Sequence, residues 1–543
     1  MITVQCSQSV SVSRTELVPA AGVSVWTLES ASSLTELNGA TGTYRKLVNQ
    51  RRNNPEVLHG ESFTPVTAMA FRLTVLRTTG DNYVHLREWR LITAAAPQTV
   101  MVTSALQTIY PTWTFIPSVQ VQFGFGSGLA AQSAVSWTSL TPALATVDAS
   151  GKVTARAPGQ ARVQATVNGI SASLFFSVTA PARAPEIDLN PTGLNMPATN
   201  SLYEIPVVIF RYLPTTDGTT LDVGWAPDYW SLNPLPISQV KSTVETFDRR
   251  VKFMLEEGSR FRGYGNGVRP SIGYKVLAAI TVYEPGPPGN KSSDGRYYWF
   301  NWESIFDRFG VRNYVETLGA KEIWFWTGST DGTFPSHNPS LNTPEKYRGS
   351  WESEMSGPNG RICNCGETTG LPVYGRTYTL YSGNIRRTQA EMVHNHGHQL
   401  ENLLAARNGY DPNPRLFRQL FSGQTPGGVP ITGRVGNTHI PPNTLKDYEY
   451  TSTVQISSDA EDWTPAGIGA KRLTSAARWQ GIPYAWPDVG PVPQQVESQY
   501  YIWWMQSMPG LDNGVAAVEP GRRMSNWWGI TADWDAVAPS TMG

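Results

Sequence analysis

Apolar and polar residues alternate with a period of two across residues 135–178, and this pattern constrains the fold more than any other feature of the chain. Such alternation is typical of strands that bury one face and expose the other. The turn sequence DASGKV (148–153) interrupts it with Asp and Gly, which tolerate the positive φ angles of a tight turn. The pattern therefore predicts a β-sandwich whose core receives Trp137 and Val147.

The same stretch resembles the bacterial Ig-like group 2 family over most of its length. The resemblance rests on the segments 135–139 (VSWTS), 145–148 (ATVD), 151–155 (GKVTA) and 176–178 (FSV), together with Gly159. It implies an Ig-like domain over residues 97–180. The family occurs in bacterial surface adhesins and in phage tail and capsid proteins, so the resemblance implies a spacer or display module on a bacterial surface or a phage virion.

Residues 1–96 contain further alternating runs of β-branched and aromatic residues. The closing part, FRLTVLRTTGDNYVHLREWRL (71–91), resembles the last two strands of a discoidin-type, galactose-binding-like jelly roll, with TTGDN (78–82) as the turn. The resemblance implies a second β-sandwich over 1–96 that binds a surface glycan or another polymer. Residues 181–200 are rich in Pro and Asn and are predicted to form a linker.

Residues 201–543 change to a different pattern, in which apolar runs of strand length alternate with helical periodicity. The runs at 205–213, 275–285 and 321–328 are predicted strands, and 236–258 is a predicted amphipathic helix. Strands that alternate with helices favour parallel βαβ units. We therefore predict a multidomain chain, with two N-terminal β-sandwiches, jelly-roll-like and then Ig-like, followed by one large α/β domain over 201–543.

Charge and hydropathy exclude several classes of partner. The chain has 43 basic and 43 acidic residues, which gives no electrostatic footprint for nucleic acid. No run approaches the ~18 consecutive apolar residues of a transmembrane helix, so no membrane insertion is expected. The N-terminus lacks the pattern of a secretory signal peptide, so an extracellular location is expected without one in this chain.

The three cysteines are too few for a disulfide framework, and Cys363 and Cys365 are predicted to be a free or incidental pair.

A helix that carries three histidines, VHNHGHQLEN, is the strongest candidate for chemistry. A capping box at Thr388 and Glu391 and a stop at 408–409 bound it to about 389–407. At ~100° per residue, Glu391, His394, His398 and Glu401 share one face, which we expect to be exposed. His394 and His398 can chelate one ion, with Glu401 as third ligand, and zinc is the cofactor that this donor set predicts. The alternative is a polar helix surface with one buried histidine.

The pentapeptide 394–398 also resembles the H-E-x-x-H helix of zinc peptidases, with His394 and His398 at the ligand positions. The resemblance implies a metal-dependent hydrolase, but Asn395 stands where the general-base Glu is required. Because Asn cannot accept a proton at neutral pH, a base must come from elsewhere. The catalytic candidates are Glu391 on the same helix and Glu352 and Glu354 in SWESEMSGP (350–358).

Four tryptophans near the C-terminus are candidates for substrate binding: Trp503, Trp504, Trp527 and Trp528. They predict either a sugar-stacking cleft or a Trp-rich core. Two functions therefore stay open. The first is an extracellular metal-dependent hydrolase that acts at a surface polymer, whose substrate (glycan, peptide or ester) the sequence does not specify. The second is a non-enzymatic adhesion or decoration protein that binds glycans.

Overall fold

The fold was analysed in a computed structural model. It describes the chain except for residues 20–23, 40–44, 54–58, 79–85, 94–96, 105, 124–125, 131–133, 216, 223–234, 264–267, 292–297, 328–346, 349–351, 361, 365–369, 386–387, 409–415, 426, 465–468, 485–494, 512–516, 520–521, 525 and 538–543. The chain forms two compact units, one of residues 1–111 and 115–178 and the other of residues 112–114 and 179–543.

The first unit begins with a five-stranded antiparallel sheet of order β3-β2-β4-β1-β5. Its elements are β1 (Ile2–Pro19), β2 (Ser24–Ala31), α1 (Leu34–Asn38), β3 (Arg45–Asn53), β4 (His59–Thr78) and β5 (Leu86–Thr93). The two strands predicted from 71–91 correspond to β4 and β5, but β1 lies between them, so they are not partners in the sheet. The predicted turn at 78–82 lies largely outside the described residues. Within the described residues, these strands belong to one continuous sheet rather than to the two sheets predicted for 1–96.

The rest of the first unit is built from three small sheets, in which most pairs are antiparallel but β7 pairs with β15 in parallel. Their strands are β6 (Thr99–Thr103), β7 (Thr108–Ile109), β8 (Thr114–Phe115), β9 (Ser118–Phe123), β10 (Gly126–Leu129), β11 (Ser136–Ser139), β12 (Ala145–Val147), β13 (Val153–Ala155), β14 (Gly159–Val167) and β15 (Ile170–Val178). The predicted turn joins β12 to β13, and Asp148 accepts the backbone N–H groups of Ser150 (2.8 Å) and Lys152 (3.0 Å). Trp137 and Val147 are only half-buried. The core is formed instead by smaller residues and by Phe176, which is 2% exposed.

The second unit is organised by a six-stranded sheet of order β16-β18-β17-β21-β24-β23. Its strands are β16 (Glu186–Asp188), β17 (Tyr203–Tyr212), β18 (Ile272–Val282), β21 (Glu322–Thr327), β23 (Ser353–Ser356) and β24 (Tyr378–Asn384). The four central strands are parallel and the two edge strands are antiparallel. The centre of β17 and all of β21 are buried, as expected for parallel strands that are covered on both faces. The remaining strands pair in small peripheral sheets: β19 (Pro288–Lys291), β20 (Tyr298–Phe300), β22 (Tyr347–Arg348), β25 (Ile456–Ser458), β26 (Arg472–Thr474), β27 (Ala517–Glu519) and β28 (Arg522–Met524).

The segment predicted to be a linker, 181–200, is in part integrated into this sheet. Its strand β16 pairs with β18, and Glu186 forms an ion pair with Lys241 at 2.8 Å. Burial alone would raise the pKa of Glu186, but hydrogen bonds from Lys241, Tyr283 and Arg183 hold its pKa at about 2. The prediction of a free linker is therefore wrong. The Pro and Asn content of the segment did not indicate that part of it pairs with the buried strand β18.

Helices cover the sheet of the second unit: α2 (Ile237–Gly258), α3 (Trp302–Phe309), α4 (Val311–Glu316), α5 (Thr388–Asn408), α6 (Ala477–Gln480), α7 (Gln495–Gln506), α8 (Trp528–Ala532) and α9 (Trp534–Val537). The described residues of this unit also form a π-helix (Leu416–Phe421) and a 3₁₀ turn (Ala460–Asp462). Helices α2, α5 and α7 pack against one another, and α5 also packs on β24. Within the described part of the chain, no helix is long and apolar enough to span a membrane.

Two other predictions on this unit are corrected. Cys363 is disulfide-bonded, whereas Cys6, in the first unit, is free. The four tryptophans proposed for substrate binding, at 503, 504, 527 and 528, are each 0–3% exposed. Their rings pack in the main core of the second unit, so they have no free face on which a sugar could stack. The alternative of a Trp-rich core is the correct one.

Candidate metal centre

The histidine helix α5 follows the parallel strand β24 after a short connection and agrees with the predicted bounds to within one residue at each end. It is buried on almost every side, since His394, Asn395 and His396 are at most 2% exposed. The prediction that the histidine face is exposed is therefore wrong. Helix α7 and the loop of residues 437–450 cover that face, which the periodicity of α5 alone could not indicate.

His394 and His398 meet a third histidine from the covering loop, His439. Each offers a ligand atom, and these atoms lie within 4.8 Å of one another. His439 is 41 residues beyond His398. Among the described residues, this is the one group of three or more His, Cys, Asp or Glu side chains with spacing suited to a metal ion. His439 was not predicted, since it stands alone in GNTHIPPN (436–443), and only the need for a third ligand could have pointed to it.

The Nδ1 atoms of these three rings each face an oxygen atom. His398 Nδ1 lies 3.0 Å from a carboxylate oxygen of Glu401, and His394 Nδ1 lies 2.6 Å from the hydroxyl of Tyr501. Tyr501 in turn donates to Glu497 at 2.8 Å, so its oxygen accepts a hydrogen bond from Nδ1 of His394. His439 Nδ1 is 4.0 Å from Asp447. The hydrogen bonds at His394 and His398 place the imidazole proton on Nδ1 and leave the lone pair on Nε2, whereas the 4.0 Å separation at His439 is too long for a hydrogen bond.

The Nε2 atoms of His398 and His439 approach each other to 2.9 Å. With Nδ1 of His398 donating to Glu401, its neutral ring has only a lone pair at Nε2. Burial lowers the pKa of His439 below its ordinary value, and so does the charge of His398 when that ring is protonated, so His439 favours the neutral form. Two lone pairs at this distance repel unless a hydrogen atom or a metal ion lies between them. The contact is therefore satisfied either by an N–H···N hydrogen bond between the rings or by a metal ion that both nitrogens bind.

Glu401, predicted to be the third ligand, connects the helix to the covering loop. One carboxylate oxygen accepts from the backbone N–H (2.6 Å) and the hydroxyl (2.7 Å) of Thr438, and the other accepts from His398. Burial alone would raise its pKa, but these hydrogen bonds hold the pKa of Glu401 below its ordinary value, so it is ionised. The carboxylate of Glu401 therefore lies on the Nδ1 side of His398. On the Nε2 side, His439 rather than Glu401 joins His394 and His398 as the third side chain of the cluster.

The loop can approach the helix this closely because residue 397 is glycine. A Cβ atom at Gly397 would lie 3.0 Å from the Thr438 hydroxyl, 3.2 Å from its methyl carbon and 3.3 Å from the ring of Trp504. These distances are tighter than ordinary van der Waals contacts. Gly397 therefore allows the loop to bring His439 against His398.

The predicted catalytic carboxylates occupy three different environments. Glu352 has an oxygen 3.8 Å from His398 Nε2, is partly exposed, and accepts a hydrogen bond from Asn364. Glu354 is buried, and its charge acts on Tyr378. Glu391 is 5% exposed on α5 and does not belong to the group of metal-binding spacing. Of the three, Glu352 is the carboxylate that the structure brings to the cluster.

Asn395 and His396 face away from the cluster. The amide of Asn395 donates to the carbonyl of Ser382 on β24 at 2.6 Å. His396 bonds the carbonyl of Met392 (2.7 Å) and the carboxylate of Glu322 (3.0 Å). His396 is therefore a buried histidine with satisfied hydrogen bonds, as its position with the apolar face predicted.

A cavity of about 350 Å³ opens beside the cluster. It is bounded by His398, Glu401 and His439, and by polar side chains of the π-helix and the loops that follow, including Arg418, Gln424 and Asp447. The lining combines hydrogen-bond donors and acceptors with a few apolar groups, as is usual for small-molecule sites. A ligand in this cavity would lie against His398, Glu401 and His439.

Comparison with known proteins identifies one domain of the chain. Residues 109–174 match the family model of the bacterial Ig-like domain (group 2), which confirms that prediction within 97–180. The matched segment is a small part of the 543 residues, so it defines this domain and not the whole protein. Among curated proteins, no sequence matches the chain significantly.

Several solved structures are similar to part of the chain. They include a pectin-binding carbohydrate-binding module (17% identity, TM-score 0.15, 17% of this chain and 66% of that one), an intimin mutant of EHEC O157:H7 (22%, 0.12, 18% and 48%) and domains 4–9 of the surface layer protein SbsC (15%, 0.15, 36% and 26%). The chain thus spans less than two thirds of the length of each of these neighbours. TM-scores this low carry no argument about function.

Proposed function

We propose that the second unit binds one divalent cation, with zinc as the preferred ion, through Nε2 of His394, His398 and His439. The observation that carries the proposal is the convergence of three histidines whose ligand atoms lie within 4.8 Å of one another, two of them with Nε2 atoms 2.9 Å apart. Three imidazoles, two of them with Nδ1 oriented by a hydrogen-bonded oxygen, are a donor set of catalytic zinc sites. His439 takes the place that the sequence assigned to Glu401, which we propose orients His398.

We further propose that the site performs hydrolysis, with Glu352 as general base. A bound divalent ion supplies Lewis acidity, which lowers the pKa of water and polarises a carbonyl or phosphoryl group. Glu352 lies near enough to the cluster to accept a proton from a water molecule there, a role that Asn395 cannot perform. The alternation of parallel strands and helices supports an α/β interpretation of 201–543. The Ig-like domain supports an extracellular location at a surface polymer.

The cation is tested by measuring bound metal in the purified full-length protein and after reconstitution of the metal-free form. We expect one equivalent of zinc, and loss of this equivalent in His398→Ala and His439→Ala. His59→Ala is the matched control, because that histidine lies in the first unit. Zinc content that is unchanged in both cluster variants contradicts the site.

The hydrolytic step is tested with 4-nitrophenyl acetate, an ester that an activated water molecule cleaves without specific substrate contacts. We expect turnover to require the metal and to fall by about 10²–10⁴-fold in Glu352→Gln, with the bound metal retained. Glu354→Gln is the control, since its buried side chain lies away from the cluster. Equal activity in both variants would exclude Glu352 as the base.

A second candidate function is adhesion without catalysis, which the match of residues 109–174 to a bacterial Ig-like domain supports. It is tested by applying the full-length protein and its His439→Ala variant to a glycan array. Equal binding by the two proteins, together with no metal-dependent turnover, would favour adhesion. Absence of any binder would remove the glycan as partner.

A further inference from the structure

We propose that Tyr448 provides the fourth protein ligand of this centre through its phenolic oxygen, and that an incoming substrate displaces it. The inference rests on the cation site proposed above. It adds to that site a residue which the sequence patterns did not single out.

The phenolic oxygen of Tyr448 lies 2.9 Å from Nε2 of His439, the same nitrogen that faces His398. Neighbouring ligand atoms of a tetrahedral zinc ion are about 3.3 Å apart when the metal–ligand distances are near 2.0 Å. The oxygen is therefore one ligand-to-ligand spacing from His439, on the side where the lone pairs converge.

The ring of Tyr448 is held over the cluster. Its centroid is 4.5 Å from that of His439 and 5.9 Å from that of His394, to which its plane is inclined by only 16°. The backbone fixes this position, because Tyr448 N donates to the carbonyl of His439 at 2.8 Å. Its φ of 60° lies in the left-handed region, which a residue with a bulky side chain adopts only when its surroundings hold it there.

Charge and exposure favour an oxygen ligand at this place. Three neutral imidazoles leave both positive charges of a divalent ion uncompensated, and a phenolate oxygen neutralises one of them. Tyr448 is 48% exposed, so its proton can pass to solvent when the oxygen binds the ion. The same exposure lets the side chain swing away, which would open the fourth position to a ligand in the adjoining cavity.

The first experiment loads the metal-free, full-length protein with Cu²⁺ and records its visible absorption and resonance Raman spectra. A tyrosinate ligand gives a charge-transfer band and enhanced phenolate vibrations, which we expect in the unaltered protein and not in Tyr448→Phe. Tyr484→Phe is the matched control, because its hydroxyl donates to the carboxylate of Glu257 at 3.2 Å, outside the cluster. The Raman signature of the unaltered protein is informative even if a variant folds poorly.

The second experiment measures zinc affinity by competition with a chelating dye. If Tyr448 is a ligand, we expect Tyr448→Phe to bind zinc about tenfold or more weakly. If the hydroxyl only donates a hydrogen bond to His439, its removal frees that nitrogen and binding becomes equal or tighter. Equal or tighter binding without a tyrosinate band overturns the role of Tyr448 and leaves the three-histidine site intact. Failure of the unaltered protein to bind either ion overturns the centre itself.

Discussion

Replacing Glu401 by Gln tests whether the carboxylate controls the metal-binding form of His398. The oxygen that accepts two hydrogen bonds from Thr438 can be replaced by the amide oxygen, which leaves the amide NH₂ facing Nδ1 of His398. Two donors cannot face each other, so His398 must move its proton to Nε2. In that tautomer the ring has no lone pair to offer to an ion between His398 and His439.

The magnitude follows from the loss of this orienting contact. Removal of such a partner lowers metal affinity by about 10–100-fold, or about 1.4–2.7 kcal/mol. The hydrogen bond from the His398 ring to a charged group adds about 1.5–3 kcal/mol to the stability of the metal-free fold, and this contribution also falls. Zinc affinity is measured by dye competition, and the free energy of unfolding by urea denaturation in the presence of a chelator.

Glu449→Gln is the control, because it makes the same chemical change in the covering loop, where the carboxylate accepts from Thr444 at 2.5 Å and contacts no histidine. We expect its zinc affinity to stay within about twofold of the unaltered protein, as for surface changes. If Glu401→Gln also stays within that range, the tautomer argument is refuted. His398 would then bind without the help of its carboxylate neighbour.

Four further predictions concern packing and electrostatics. Gly397→Ala should lower zinc affinity, since the added methyl group pushes the loop of His439 outward. The higher helix propensity of Ala changes the stability of α5 by only ~1 kcal/mol. Zinc titration measures the first effect and urea denaturation the second. Trp503→Ala should destabilise the chain by ~3–5 kcal/mol in urea denaturation and leave glycan-array signals unchanged. An isolated 97–180 fragment should unfold cooperatively, and Phe176→Ala should cost it a similar ~3–5 kcal/mol. The pKa of Glu186 is lowered from 4.5 to about 2, so its ionised carboxylate stabilises the fold above pH 4.5 and loses this effect as the pH falls toward 2. The difference in Tm between Glu186→Gln and the unaltered protein should therefore become smaller between pH 4.5 and pH 2.

Local patterns predicted those parts of the fold that local physics determines. The Ig-like hairpin around Asp148 and the bounds of the histidine helix depend on turn residues and periodicity, which neighbouring residues specify. The pairing of β16 with β18 and the place of β1 between β4 and β5 depend on contacts between residues far apart in the chain. Period-two alternation carries no information about which strand becomes the partner.

The residues of the candidate site also fall into those that local patterns predict and those that depend on contacts far apart in the chain. His394 and His398 could be predicted because residues four apart on a helix lie on one face. His439 and Tyr448 come from a loop whose path the sequence does not reveal. Glu352 was one of three carboxylates predicted as catalytic, and the sequence did not distinguish it from Glu354 and Glu391. The four tryptophans were ambiguous because an aromatic side chain fits a core and a sugar platform equally well. Only their burial distinguishes the two.

The short strand β16 determines where the second unit would yield under tension. A force that reaches this unit along residues 179–188 acts on β16, a three-residue edge strand that pairs with β18 only over 186–188. The parallel strands behind it are held along ten or more residues, as in β17 and β18. A pull would therefore peel β16 away first and lengthen the chain between the two units. The sheet that positions the histidine cluster would stay folded during this first extension.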